Sequence, residues 1–67
     1  MSWNTLPLET RHQLVGKLTV RQHDVLILWL AGCSIERISV MMSIAPRTVR
    51  THLHRARQVL DELQEAA

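Results

Sequence analysis

Val49, Leu53, Ala56, Leu60 and Leu63 follow one another at intervals of 4, 3, 4 and 3. That spacing puts all five on one side of an α-helix, expected over about Pro46 to Gln64. The stripe runs for barely two heptads, so it reads as a face packed on other helices rather than a coiled-coil seam. A helix of this length dominates a chain of 67 residues. Such a chain buries only roughly 60% of the surface it exposes when unfolded, and has room for one domain over residues 1–67. Residues 1–17 are expected to form an N-terminal helix and linker, and 18–64 the core. With 46% hydrophobic residues the chain can close that core and is too apolar for disorder.

The upstream segments also read as helices, with no alternating strand-like run. The first is expected over about Leu6 to Val15, with Asn4 or Thr5 near its cap, Pro7 in its first turn and Gly16 ending it. Thr19 and Gln22 have capping-box spacing, so a second helix runs from Val20 to Ala31 and closes at Gly32. Ser34 caps a third helix ending near Met42. Ser43-Ile44-Ala45 then makes a tight turn into Pro46, which suits the first position of the last helix. The fold class expected is all-α, a four-helix (tetrahelical) helix-turn-helix domain with a long C-terminal recognition helix, residues 46–64.

Charge is unevenly spread. Between Glu36 and Asp61 there is no carboxylate but five arginines, Arg37, Arg47, Arg50, Arg55 and Arg57. The rest of the chain holds three cations against six acids. Arginine forks onto phosphate and guanine, so this segregation points to a polyanion partner rather than a merely solvated face. Two helices joined by a tight turn, the second basic and opening with small polar residues, form the helix-turn-helix pattern. Such a helix fits the major groove of double-stranded DNA, with its positive dipole end toward phosphate.

The segments Leu18-Thr19-Val20-Arg21-Gln22-His23-Asp24-Val25-Leu26, Gly32-Cys33-Ser34, Ile38 and Thr48-Val49-Arg50-Thr51-His52-Leu53 resemble the output domains of LuxR/FixJ-type regulators. The tail Leu53-His54-Arg55-Ala56-Arg57 is equally similar to region 4 of extracytoplasmic-function sigma factors. The resemblance covers about residues 18 to 60 and implies a transcription-related protein of bacterial, phage or plasmid origin. It implies base-reading roles for Arg50, Thr51 and His54, and backbone contacts for Arg47 and Thr48. It also implies a core that includes Val25, Leu26, Leu28, Ile38, Val49 and Leu53. The basic helix adds Arg55 as a phosphate contact. Arg37 replaces the glutamate usual in both families and supplies another. Ser39 stands where a small alanine is usual. Ala45 stands where Ser or Thr caps the recognition helix, which weakens that start by about 1 kcal/mol.

Ile27, Ile35, Val40 and Met41 occupy positions where these families carry charged or amide side chains, so they are expected to form a protein interface. Either the N-terminal segment with Trp3, Leu6 and Leu8 covers them or a partner does. A homodimer is the leading expectation, since a single module buries only ~600–1,000 Å² on DNA; RNA polymerase is the other candidate. The reading is thus a sequence-specific regulator, with a polymerase-binding module or a non-specific nucleoid protein as alternatives.

Other chemistry has little to stand on. His52 and His54 diverge on a helix and lie far from Cys33, so no metal or cofactor is expected. Cys33 and Trp29 read as packing residues, and Arg57 with Asp61 as a pair across one turn. Ser34 has no base or oxyanion site beside it, and so short a chain hardly builds an enzyme's pocket. One cysteine, no apolar run near 18 residues and no basic leader suggest a cytoplasmic, nucleoid-associated protein rather than a membrane or exported one.

Overall fold

A computed structural model describes residues 2–66; Met1 and Ala67, the ends of the expected 1–67 span, lie outside the described residues. Four α-helices follow a 3-10 turn at Trp3–Thr5: α1 (Leu8–Lys17), α2 (Val20–Leu30), α3 (Ile35–Met42) and α4 (Pro46–Ala66). There is no strand among the described residues, so the all-α expectation holds.

α4 is the spine. Its 21 residues span about 30 Å at 1.5 Å per residue, close to the 33 Å long axis of the molecule. Val49, Leu53, Ala56 and Leu60 of the stripe are buried, and Leu63 packs at its end. Val59, outside the expected stripe, is buried as well, because helices pack on α4 from more than one side. Leu14 of α1, Val25 and Leu26 of α2 and Ile38 of α3 complete the core with Leu6 and Leu18.

The N-terminus departs from expectation. The first helix starts at Leu8 with Pro7 as its cap residue, and no side chain accepts from its first turn. Ser2 and Thr5 bond to each other across the preceding turn, with Thr5 Oγ1 donating to the Ser2 carbonyl at 2.8 Å. Gly16 does not end α1 but lies inside its last turn. The helix stops instead at Leu18, whose N–H still reaches the Leu14 carbonyl while its own backbone is extended to bury its side chain. Burial of a leucine decides this boundary, and the freedom of glycine is not used there.

The two downstream starts are as expected. Thr19 Oγ1 accepts from the Gln22 N–H and Gln22 Oε1 from the Thr19 N–H, both at 3.1 Å. Ser34 Oγ accepts from the Arg37 N–H at 3.1 Å. Ala31 is the residue after α2, and Gly32 takes φ +97°, so that its N–H meets the Trp29 carbonyl and the Cys33 N–H the Leu28 carbonyl. α3 closes in the same way through Ser43, at φ +55°, and Ile44.

Candidate nucleic-acid interface

The turn between α3 and α4 fixes how the basic helix is presented. Ser39 Oγ donates to the Ile44 carbonyl, and the Arg21 guanidinium lies 3.4 Å from the Met42 carbonyl. Ser39, in place of the alanine usual there, therefore ties α3 to the turn. α4 then begins at Pro46 with the Val49 N–H on the Ala45 carbonyl at 3.1 Å. Among the described residues no side chain caps this start. The free N–H groups of its first turn, with the helix dipole, suit a phosphate oxygen.

Burial of Val49, Leu53 and Ala56 turns the opposite side of α4 to solvent. Arg47, Arg50, Thr51, His54 and Arg55 are exposed there, and Thr48 is half-buried. None of these arginines is ion-paired among the described residues, so their positive charge is not locally neutralised. Thr51 Oγ1 donates to the Arg47 carbonyl at 3.1 Å, which leaves the hydroxyl as an acceptor toward solvent. Arg50 and His54 also border a shallow groove with Ile35 and Leu53, between the start of α3 and α4.

Arg37 is exposed on α3, about 160° round that helix from Ile35. It is therefore not on the side of α3 that borders Arg50. Arg57 does not pair with Asp61; its guanidinium lies over the Trp29 ring, 4.7 Å from the centroid. At an exposed site a cation–π contact and an ion pair are worth about the same, so packing of α2 against α4, which brings Trp29 under Arg57, decides between them. Residues 29 and 57 are remote in sequence, and nothing in the local pattern announces the contact. Trp29 is half-buried against the core rather than inside it.

The four residues expected to share an apolar interface are divided. Val40 is 78% and Met41 54% exposed. Ile27 is half-buried beside Met41 and Asp24, whereas Ile35 packs on the core and faces the Arg50 groove. The N-terminal segment does not cover Val40 or Met41. Trp3 instead meets His23 of α2 edge to face, with centroids 5.0 Å apart, and Leu6 is buried. Leu8 stays exposed.

A helical scaffold that closes its core with one side of a long helix, and shows solvent a basic turn on the other, is a DNA-binding helix-turn-helix domain. The family model described as Sigma-70, region 4 matches residues 8–60, from the first residue of α1 to the last buried residue of α4, and the chain belongs to that family. No curated protein and no solved structure matches the chain. The family match extends the sigma side of the resemblance upstream over α1. No helix among the described residues is long and apolar enough to cross a membrane.

Proposed function

We propose that this chain is a one-domain, sequence-specific regulator of transcription that binds double-stranded DNA as a homodimer, with α4 in the major groove. The observation that carries the reading is the exposed set Arg47, Arg50 and Arg55, with no ion pair among the described residues, opposite the buried side of α4. Arg50, Thr51 and His54 read base edges, following the LuxR/FixJ-type resemblance, with Arg50 as the residue that forks onto guanine O6 and N7. Arg47, Thr48 and Arg55 hold sugar-phosphate, and Arg37 reaches a phosphate further along the duplex. The protein works on nucleoid DNA in the cytoplasm without a cofactor.

Selection of genomic fragments by the purified protein, at near-physiological salt and with Arg50→Ala in parallel, tests this. The expected result is a motif of paired half-sites, bound roughly tenfold to a hundredfold less well by the variant. Uniform binding that falls steeply with salt and ignores the substitution would instead mark a non-specific nucleoid protein.

A second reading is favoured by the family match and by the exposure of Val40 and Met41. In it the domain engages RNA polymerase or another regulator through α3 while α4 touches DNA. Val40→Glu would then remove function and leave duplex binding intact.

A further inference from the structure

Arg57 has no part in the function set out above, yet α4 places it in line with residues that do. Arg50, His54, Arg57 and Asp61 follow one another at intervals of 4, 3 and 4, so they form one strip along the helix. All four are exposed, and they border a single groove with Ile35 of α3. Arg50 and Arg57, seven residues apart, lie nearly one above the other and about 10 Å apart along the axis. The basic strip ends at Asp61, beyond which Glu62 and Glu65 make the end of α4 acidic.

Arg57 is held as no other arginine of α4 is shown to be. Its guanidinium lies over the Trp29 ring, and Trp29 in turn packs against the core. An arginine free in solvent gives up much side-chain freedom when it binds, and one already resting on a ring gives up less. One ring occupies one side of the guanidinium, whereas the group carries five N–H donors. Asp61 is one turn away, but Arg57 forms no ion pair among the described residues. The site is therefore a cation fixed in place, with its charge and most of its donors still to be used.

The position on α4 says what it meets. In a helix-turn-helix the N-terminal residues of the recognition helix reach the base edges. The major groove is about 12 Å wide. A side chain about 10 Å further along the helix than Arg50 has passed the base edges and stands at the sugar-phosphate wall. A pre-ordered guanidinium suits a phosphate there, which accepts two parallel N–H groups.

We infer that Arg57, held on the Trp29 ring, takes a phosphate of the duplex at the edge of the groove, and that Trp29 is the residue that positions it. The inference rests on the DNA reading proposed above and adds to it a contact that α2 and α4 build together.

Titration of a fluorescein-labelled, mixed-sequence duplex with the full chain, followed by anisotropy over a series of salt concentrations, tests this. Circular dichroism is read in parallel. Arg57→Gln should weaken binding roughly tenfold and make the slope of log K against log salt shallower by about 0.9, with helix content kept. Arg57→Lys keeps the charge and should keep the slope. Trp29→Phe, which retains a ring, should bind nearly as well as the wild type. Trp29→Leu should weaken binding about threefold in the wild-type chain and not at all beside Arg57→Gln, because the two side chains act as one unit. A tryptophan that served packing alone would weaken binding equally in both backgrounds, and that result overturns its positioning role. An Arg57→Gln chain that matches the wild type in affinity and slope overturns the inference and leaves the DNA reading standing. A wild-type chain that binds no duplex even at low salt overturns both. Fragment selection that yields no motif, with the Arg57 change in slope intact, removes sequence specificity and leaves this contact.

Discussion

α2 and α3 end in the same backbone closure on different chemistry. At the end of α2, Gly32 takes the left-handed region and the Cys33 N–H reaches the Leu28 carbonyl at 3.1 Å. At the end of α3, Ser43 takes that region, and the Ile44 N–H reaches the Ser39 carbonyl, also at 3.1 Å. Glycine enters this conformation freely, whereas a side chain there crowds the following carbonyl. The first closure therefore stands alone. The second is accompanied by the Ser39 hydroxyl on the Ile44 carbonyl and by Arg21 beside the Met42 carbonyl. The joint that aims the basic helix is thus the more strained of the two and the more heavily tied.

Substitutions that exchange the two designs test this. The largest effect is expected from Gly32→Ala. Space is open around a Cβ there, so only the backbone at φ +97° objects, and urea denaturation should show a loss of roughly 1–2 kcal/mol. Ser39→Ala removes one tie and should cost about 1 kcal/mol. It should also speed amide exchange at Ile44 and in the first turn of α4 more than in α2, which separates a loosened joint from a general loss of stability. Ser43→Gly is the smallest change. Relief of the left-handed strain, offset by the greater freedom of glycine in the unfolded chain, leaves a gain of about 0.5 kcal/mol. A loss there would mean that the Ser43 side chain contributes something the backbone argument omits.

The same contrast explains what the sequence discloses. The caps at Thr19 and Ser34, the Gly32 closure, Pro46 at the head of α4 and the Val49–Leu53–Ala56–Leu60 stripe are local patterns, and each falls where its spacing puts it. Ser43 reads only as part of a turn, since serine does not advertise a left-handed backbone. Gly16 misleads for the converse reason. It looks like a terminator, but burial of Leu18 carries the helix past it. The exposure of Arg47, Arg50 and His54 follows from the stripe alone, while the Arg57–Trp29 contact depends on how α2 crosses α4. The division of Ile27, Ile35, Val40 and Met41 is tertiary as well. It requires knowing which side of α3 meets the core, and a helix of 8 residues shows too little of a period to fix that.

α4 supplies both the side on which the core closes and the exposed basic side that the proposed function sets on DNA. Unfolding the domain and losing that basic side are therefore one event, and whatever binds there stabilises the folded chain by its binding free energy. Proteolysis of a small domain acts mainly on copies that open, and a partner held on this side of α4 makes opening rarer. Occupancy then sets lifetime. On the function proposed above, a bound copy would outlast an unbound one, so the partner would set the protein's lifetime.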